Sequence, residues 1–197
     1  NAGTGFRVVN LFTEDHAALS GSRDVLILED LNPEKSCNVN LNYLKTWMLS
    51  ENFLLQAETS ALYTYFTNSI IPDYETNSQQ IIYKNLDGYA ETKGISINMD
   101  AVYANNLKIM VGATIQDVNK TEDKTKTRQM LTERFSGTWA ISYTINKLNT
   151  TIDYSGNMYG PMRLPVLNAL DPRLATSKTY SIQNIQFTYN GFKNFQI

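Results

Sequence analysis

The sequence predicts an all-β chain: an antiparallel up-and-down meander of about eight or nine long strands, of the kind that forms part of a transmembrane β-barrel. Three observations carry this. Apolar and small polar residues alternate with period two over several long segments. The connections between those segments are long and short in turn. No segment keeps a convincing helical period.

The clearest segment spans 88–118. Ile95, Ile97, Met99, Ala101 and Tyr103 fall on one face of residues 94–103, and Gly94, Ser96, Asn98 and Asp100 on the other. Successive strand side chains point to opposite faces, so this reads as a strand with one apolar face. Ala104, Asn105 and Asn106 supply turn chemistry, because Asn tolerates left-handed backbone angles. Alternation resumes with Leu107, Ile109, Val111, Ala113 and Ile115 against Lys108, Gly112, Thr114 and Gln116. The expected product is a hairpin. Its polar face is mostly small and neutral, which suits a crowded, water-filled lumen better than an ordinary wet surface.

In chain order, residues 3–10 read as the end of a strand and 11–32 as a long acidic loop with a short apolar stretch at 25–28. Pro33 closes that loop, since it cannot donate to a ladder. Residues 36–43 alternate, with Cys37, Val39, Leu41 and Tyr43 on one face; 45–52 read as a short connection carrying Trp47. Residues 53–71 form the next strand region, with Ala57, Ala61, Tyr63 and Tyr65 on one face. Residues 72–79 read as a polar loop and 81–83 as a short strand leading into the central hairpin. Residues 119–128 (NKTEDKTKTR) read as a charged loop without periodicity. Residues 135–145 alternate again, with Trp139, Ile141, Tyr143 and Ile145 on one face, and 148–154 pair back after a tight turn at Asn146 and Lys147. Residues 157–177 make a long loop, 180–189 the last full strand, 191–194 a turn, and 195–197 begin another strand.

In a meander, this alternation puts every short turn at one end and every long loop at the other. Outer-membrane barrels show that asymmetry, and strands of about 9–11 residues are what a tilted crossing needs. Aromatic placement agrees. Tyr43, Trp47, Phe53, Tyr103, Tyr143, Tyr189 and Phe192 lie near short turns, whereas Tyr65, Tyr89, Tyr154 and Tyr180 lie nearer the long loops. Two interfacial girdles are expected from them.

Composition excludes several classes. The 197 residues read as one unit, 1–197, with no shift in composition inside it. Net charge is −2 and the sequence pI is near 5.4, so no basic stripe invites nucleic acid. The single Cys37 rules out an internal disulfide framework. No apolar run approaches the roughly 18 residues of a membrane helix, so any crossing is by strands. One histidine, His16, stands beside Glu14 and Asp15, with no Gly-x-Ser-x-Gly and no phosphate-binding glycine loop; an enzyme is not expected. Asp117, Glu122 and Asp123 lack calcium-loop spacing, and no metal or cofactor is expected. Ligand contacts are expected from the loop 157–177, where Tyr159, Arg163 and Arg173 offer stacking and charge-assisted hydrogen bonds to an anionic or sugar-like ligand.

Three stretches resemble TonB-dependent outer-membrane receptors. GTGFRVVNLF (3–12) resembles a strand-to-loop segment of that family. LNPEKSCNVNLNY (31–43) is similar to its Leu-x-Pro-Glu-x-Ser segment, which opens a descending barrel strand. NLDGYAETKGISINMD (85–100) resembles another of its strands, and the loop-rich style is similar to receptors from the Bacteroidetes. The resemblance implies the C-terminal part of a barrel of about 22 strands. It also implies outer-membrane lipid around the parent and an inner-membrane energy-coupling protein reached through a plug. It further implies import of an iron chelate, cobalamin or glycan. The chain shows no plug and no energy-coupling box, and it lacks the family's terminal aromatic strand. It is therefore expected to be a fragment that transports nothing alone and folds over or self-associates. The competing expectation is a soluble all-β ligand- or carbohydrate-binding module.

Overall fold

The structure is a computed structural model; it describes residues 1–8, 24–27, 30–73, 76–77, 79–165, 172 and 174–191. One wide sheet dominates. Its strands are β1 (Ala2–Arg7), β3 (Glu34–Ser50), β4 (Phe53–Thr67), β7 (Gly88–Tyr103), β8 (Leu107–Glu122), β10 (Phe135–Ile145), β11 (Thr150–Tyr159) and β12 (Tyr180–Tyr189), each paired antiparallel with the next. A short strand, β9 (Thr125–Arg128), pairs back on β8 and completes nine. A second sheet of three strands is built from the two long connections before β3 and before β7: β2 (Asp24–Ile27) runs parallel to β6 (Gln80–Asn85), which pairs antiparallel with β5 (Ile70–Asp73).

The registers carry one apolar face across the wide sheet. Leu41 is opposite Ala61, Ala61 opposite Ile95, Ile95 opposite Ile115, and Ile115 opposite Phe135. Farther on, Val111 is opposite Trp139, Ile141 opposite Tyr154, and Tyr154 opposite Ile185. Directly opposed residues share a face, so Ile95, Ile97, Met99, Ile109, Val111, Trp139, Ile141 and Tyr143 all lie on one side. That side is open to its surroundings: Leu41 is 71% exposed, Ile115 65% and Ile185 63%. The buried apolar side chains among the described residues are Ile71, Ile81, Tyr83 and Leu86, none of them in the wide sheet. Ile81 and Tyr83, with Val25 and Ile70 against them, form a small core in the loop sheet.

The short turns join neighbouring strands at one end. Ala104 and Asn105 take left-handed φ of 49° and 58°, as the Asn-rich turn requires, and Asn149 closes a 3-10 turn (Asn146–Leu148) in the same region. The turns are also linked sideways. The carbonyls of Asn52, Asn106 and Asn149 accept from the N–H groups of Ala104, Thr144 and Asn190.

Several sequence boundaries move. The connection expected at 45–52 is the two-residue turn at Glu51 and Asn52, and Trp47 sits inside β3; Leu44, Met48 and Leu49 blur the alternation there, and the register shifts between Met48 and Ser50. The charged stretch 119–128 is the end of β8 and its return strand, turned at Asp123 and Lys124 with φ of 49° and 65°. Polar and charged residues fall on both faces there, so no apolar alternation marks the ladder. Residues 81–83 do form a strand, but it pairs in the loop sheet rather than leading the central hairpin. Pro72 lies within β5, an edge strand where a missing donor is tolerated. Leu148 belongs to the turn, and β11 runs on through Tyr159. Tyr180 is opposite Tyr159 on the polar face, so it does not join the girdle expected of it; Phe192 lies outside the described residues. Among the described residues the wide sheet is open, its strand order starting at β1 and ending at β12 without a pairing between those two. Short turns fix register only between neighbours, and nothing in them draws those two edges together.

Candidate functional site

The polar face and the loop sheet meet at the long-loop end. Arg7 and Glu34 are opposed across β1 and β3. Glu34 is buried, and its Oε2 accepts from Arg7 Nε at 2.8 Å and lies 2.8 Å from Arg7 Nη2. Its Oε1 accepts from the Ile70 backbone N–H at 2.7 Å and from Ser69 Oγ at 3.2 Å. One carboxylate therefore ties two wall strands to the loop sheet. Asn85 makes a second clamp: its Nδ2 donates to the carbonyls of Asn32 (3.0 Å) and Asn68 (2.8 Å), and its Oδ1 accepts from the Asn32 N–H at 2.7 Å. Lys84 on β6 reaches Glu122 at the end of β8, 2.9 Å away.

These fastenings frame a cavity of about 560 Å³. Phe66, Ile70, Ile71, Ala90 and Val118 give it apolar walls, and Arg7, Glu34, Ser36, Ser69, Thr92 and Gln129 place polar groups around it. Its size is that of a small-molecule pocket, and its mixed lining suits a ligand held by shape and a few directed hydrogen bonds.

The sequence-derived ligand residues lie elsewhere. Tyr159 ends β11 and stacks on Tyr180, with ring centroids 5.2 Å apart. Arg163 pairs with Thr176 in an isolated bridge; its Nη1 donates to the Arg128 carbonyl at 3.5 Å and its own carbonyl accepts from the Leu131 N–H. Neither is among the residues lining the cavity, and Arg173 is outside the described residues. The motif 31–43 contained Glu34, but nothing in the sequence paired it with Arg7 or Ile70. His16 lies outside the described residues. Cys37 is exposed on the apolar face, opposite Tyr65. No group of three or more metal-ligating side chains occurs among the described residues.

Charge is ordered by height on the apolar face. From Tyr103 to Ile95, Leu107 to Ile115 and Tyr143 to Phe135, each strand presents a band of about nine residues, the span of a tilted crossing. Beyond it, toward the long loops, come Lys93 opposite Asp117, and Arg134 with its Nη2 3.5 Å from Asp117 Oδ1. The Glu91 carboxylate accepts from Lys126 and holds that ammonium above the ordinary lysine range. Burial lowers the pKa of the nearby Arg128 guanidinium. Lys45 is a charged exception on the apolar side of β3, opposite Ala57.

A one-sided apolar meander with short turns at one end and pinned loops at the other has the form of a β-barrel wall. No family model and no curated protein matches the sequence. Solved structures do match. The copper transporter OprC aligns with 99% of this chain and 29% of its own length, at 12% identity and a TM-score of 0.68. The ferric yersiniabactin uptake receptor FyuA from Yersinia pestis aligns with 99% of this chain and 27% of its own, at 15% identity and 0.64. The pyoverdine outer membrane receptor FpvA from Pseudomonas aeruginosa aligns with 84% of this chain and 25% of its own, at 15% identity and 0.62. These neighbours are TonB-dependent outer-membrane receptors, and the chain has the fold of little more than a quarter of one.

Proposed function

We propose that this chain is a barrel-wall segment, with its outer loops, of a TonB-dependent nutrient receptor in the bacterial outer membrane. The segment sits toward the C-terminal end of the barrel and has the loop-rich style of Bacteroidetes receptors. The whole receptor would import an iron chelate, cobalamin or glycan, driven through an inner-membrane coupling protein; the segment alone is not transport-competent. The observation that carries this reading is the continuous exposed apolar face. A soluble all-β ligand- or carbohydrate-binding module would bury Ile95, Ile115 and Ile185 under a second layer, and each is more than half exposed. The reading is further supported by the three stretches that resemble the family and by structural neighbours named for copper, yersiniabactin and pyoverdine. Ligand contacts are assigned to the polar face at the long-loop end. They comprise the cavity beside Arg7 and Glu34 and the Tyr159–Tyr180 stack, with Arg163 and Arg173 following Tyr159 in the sequence.

Single cysteines test it, in the full-length receptor with Cys37→Ser as background. In membranes, Ile97→Cys should react with a lipid-soluble maleimide and resist a charged one. Asn98→Cys should react with the charged reagent through the lumen. The opposite pattern would place the small polar face in lipid and end the proposal.

A further inference from the structure

We infer that the outward face carries a docking groove for a phosphate-bearing lipid. This rests on the membrane reading above. The groove, about 670 Å³, is distinct from the loop-end cavity and lies on the opposite side of the sheet. Its floor and walls are Ile95, Ile97 and Ile115, with Ala61 and Ala113 leaving room between them. Ile95 lies opposite both Ala61 and Ile115, and Ile97 opposite Ala113, so the depression comes from small side chains set among branched ones. The long-loop end of the groove is closed by Lys93, Asp117 and Arg134.

The charges there favour an anion. The Lys93 ammonium has no ion pair within 4.0 Å among the described residues. Arg134 is 65% exposed and only loosely paired, 3.5 Å from Asp117. Asp117 is also occupied by Asn119, whose Nδ2 donates to Oδ2 at 2.8 Å. Behind them stands Arg128, with no hydrogen-bond acceptor for its buried Nε–H and with Glu133 as a further acid nearby. Three cations against two carboxylates leave a net positive end. The apolar groove opens along the band expected to face hydrocarbon, and the cations stand where that band stops. A soluble anion would gain nothing from the groove, and an uncharged chain nothing from the cations. A lipid with a phosphate headgroup uses both, each basic residue near such a surface contributing about fivefold in affinity.

The test uses the full-length receptor, folded in dodecyl maltoside and stripped of lipid. Dioleoyl phosphatidic acid and dioleoyl phosphatidylcholine are offered together, and the lipid retained is counted by native mass spectrometry. The wild type should retain phosphatidic acid in preference. Lys93→Gln, which breaks no ion pair, should reduce that preference about fivefold, and Lys93→Gln with Arg134→Gln should bring the two lipids to parity. Ala113→Phe, which fills the groove, should reduce retention of both. Equal retention by the wild type would overturn the proposal, as would a preference that survives the double substitution or retention untouched by Ala113→Phe. Loss of the preference to millimolar inorganic phosphate would show a soluble-anion site and overturn it as well. Those failures leave the membrane reading standing. A receptor that is monodisperse without detergent and retains neither lipid would remove both.

Discussion

Glu34 Oε1 accepts the backbone N–H of Ile70 at 2.7 Å while Oε2 holds Arg7, so one side chain joins the wall strands β1 and β3 to β5, an edge strand of the loop sheet. Glu34→Ala would leave the Ile70 donor and the Ser69 hydroxyl without this acceptor. The cost should be about 1–3 kcal/mol, concentrated in the loop sheet rather than the wall. Amide hydrogen exchange gives the measurement: protection at Ile81, Ile82 and Tyr83 should fall, while that at Ile109 and Ile141 should not. Unchanged protection in β6 would show that the carboxylate does not hold the loops.

Trp139 lies directly opposite Gly156, and its indole covers the glycine. A Cβ there would fall 2.4 Å from the indole Cζ2 and 2.9 Å from the Ile182 carbonyl oxygen. Gly156→Ala should therefore push the ring off its seat and destabilise the sheet by about 1–3 kcal/mol. With Trp47→Phe as background, Trp139 fluorescence reports the displacement. An unshifted spectrum at full stability would mean that the ring does not pack on Gly156.

At Gly88 the constraint is in the backbone. Its φ is +153°, and a Cβ would stand 1.9 Å from the Thr121 carbonyl oxygen. Gly88→Ala should cost about 1–3 kcal/mol through conformation alone, and more through the clash. The expected signature is fraying where Gly88 pairs with Glu122, while the pairs from Ile95 to Tyr103 hold. Hydrogen exchange across β7 resolves the two halves.

The legible and illegible parts of the chain divide by what each strand faces. Residues 94–116 and 135–145 carry one apolar face and one polar face, so period two survives in the sequence and their register follows. Beyond Lys93 and Asp117 polar residues occupy both faces. There the ladder is held by backbone pairing and by ion pairs such as Glu91–Lys126, which leave no periodic trace in NKTEDKTKTR. The loop sheet was hidden for a different reason. Its pairing of Val25 with Ile81 joins residues far apart in sequence, in strands of four and six residues too short to show a pattern. The cavity shares that origin: Arg7, Glu34 and Ile70 meet only through topology. Tyr159 was placed in a loop because Pro161 and Gly160 follow at once, although the strand reaches it.

Depth in the membrane gives the sharpest test of the wall itself. Met99 and Val111 are directly opposed at the middle of the apolar band, four residues from the Tyr103–Leu107 pair at one end and four from the Ile95–Ile115 pair at the other. Arg at Val111 should cost about 2–4 kcal/mol in the folded receptor, because the guanidinium must leave water at the midplane or distort the bilayer to keep it. Arg at Ile115, one step from the charged rim, should cost about 0–1 kcal/mol. Arg at Thr125, on the exposed hairpin tip, should fall within about 0.5 kcal/mol of zero. Asn119 is no control for this series, since it is buried beside Asp117. Reversible unfolding of the receptor in lipid vesicles measures all three. A graded loss from Val111 through Ile115 to Thr125 is what a hydrocarbon slab imposes, and a water-exposed sheet has no reason to produce it. Equal costs at Val111 and Thr125 would mean that the apolar face does not meet lipid.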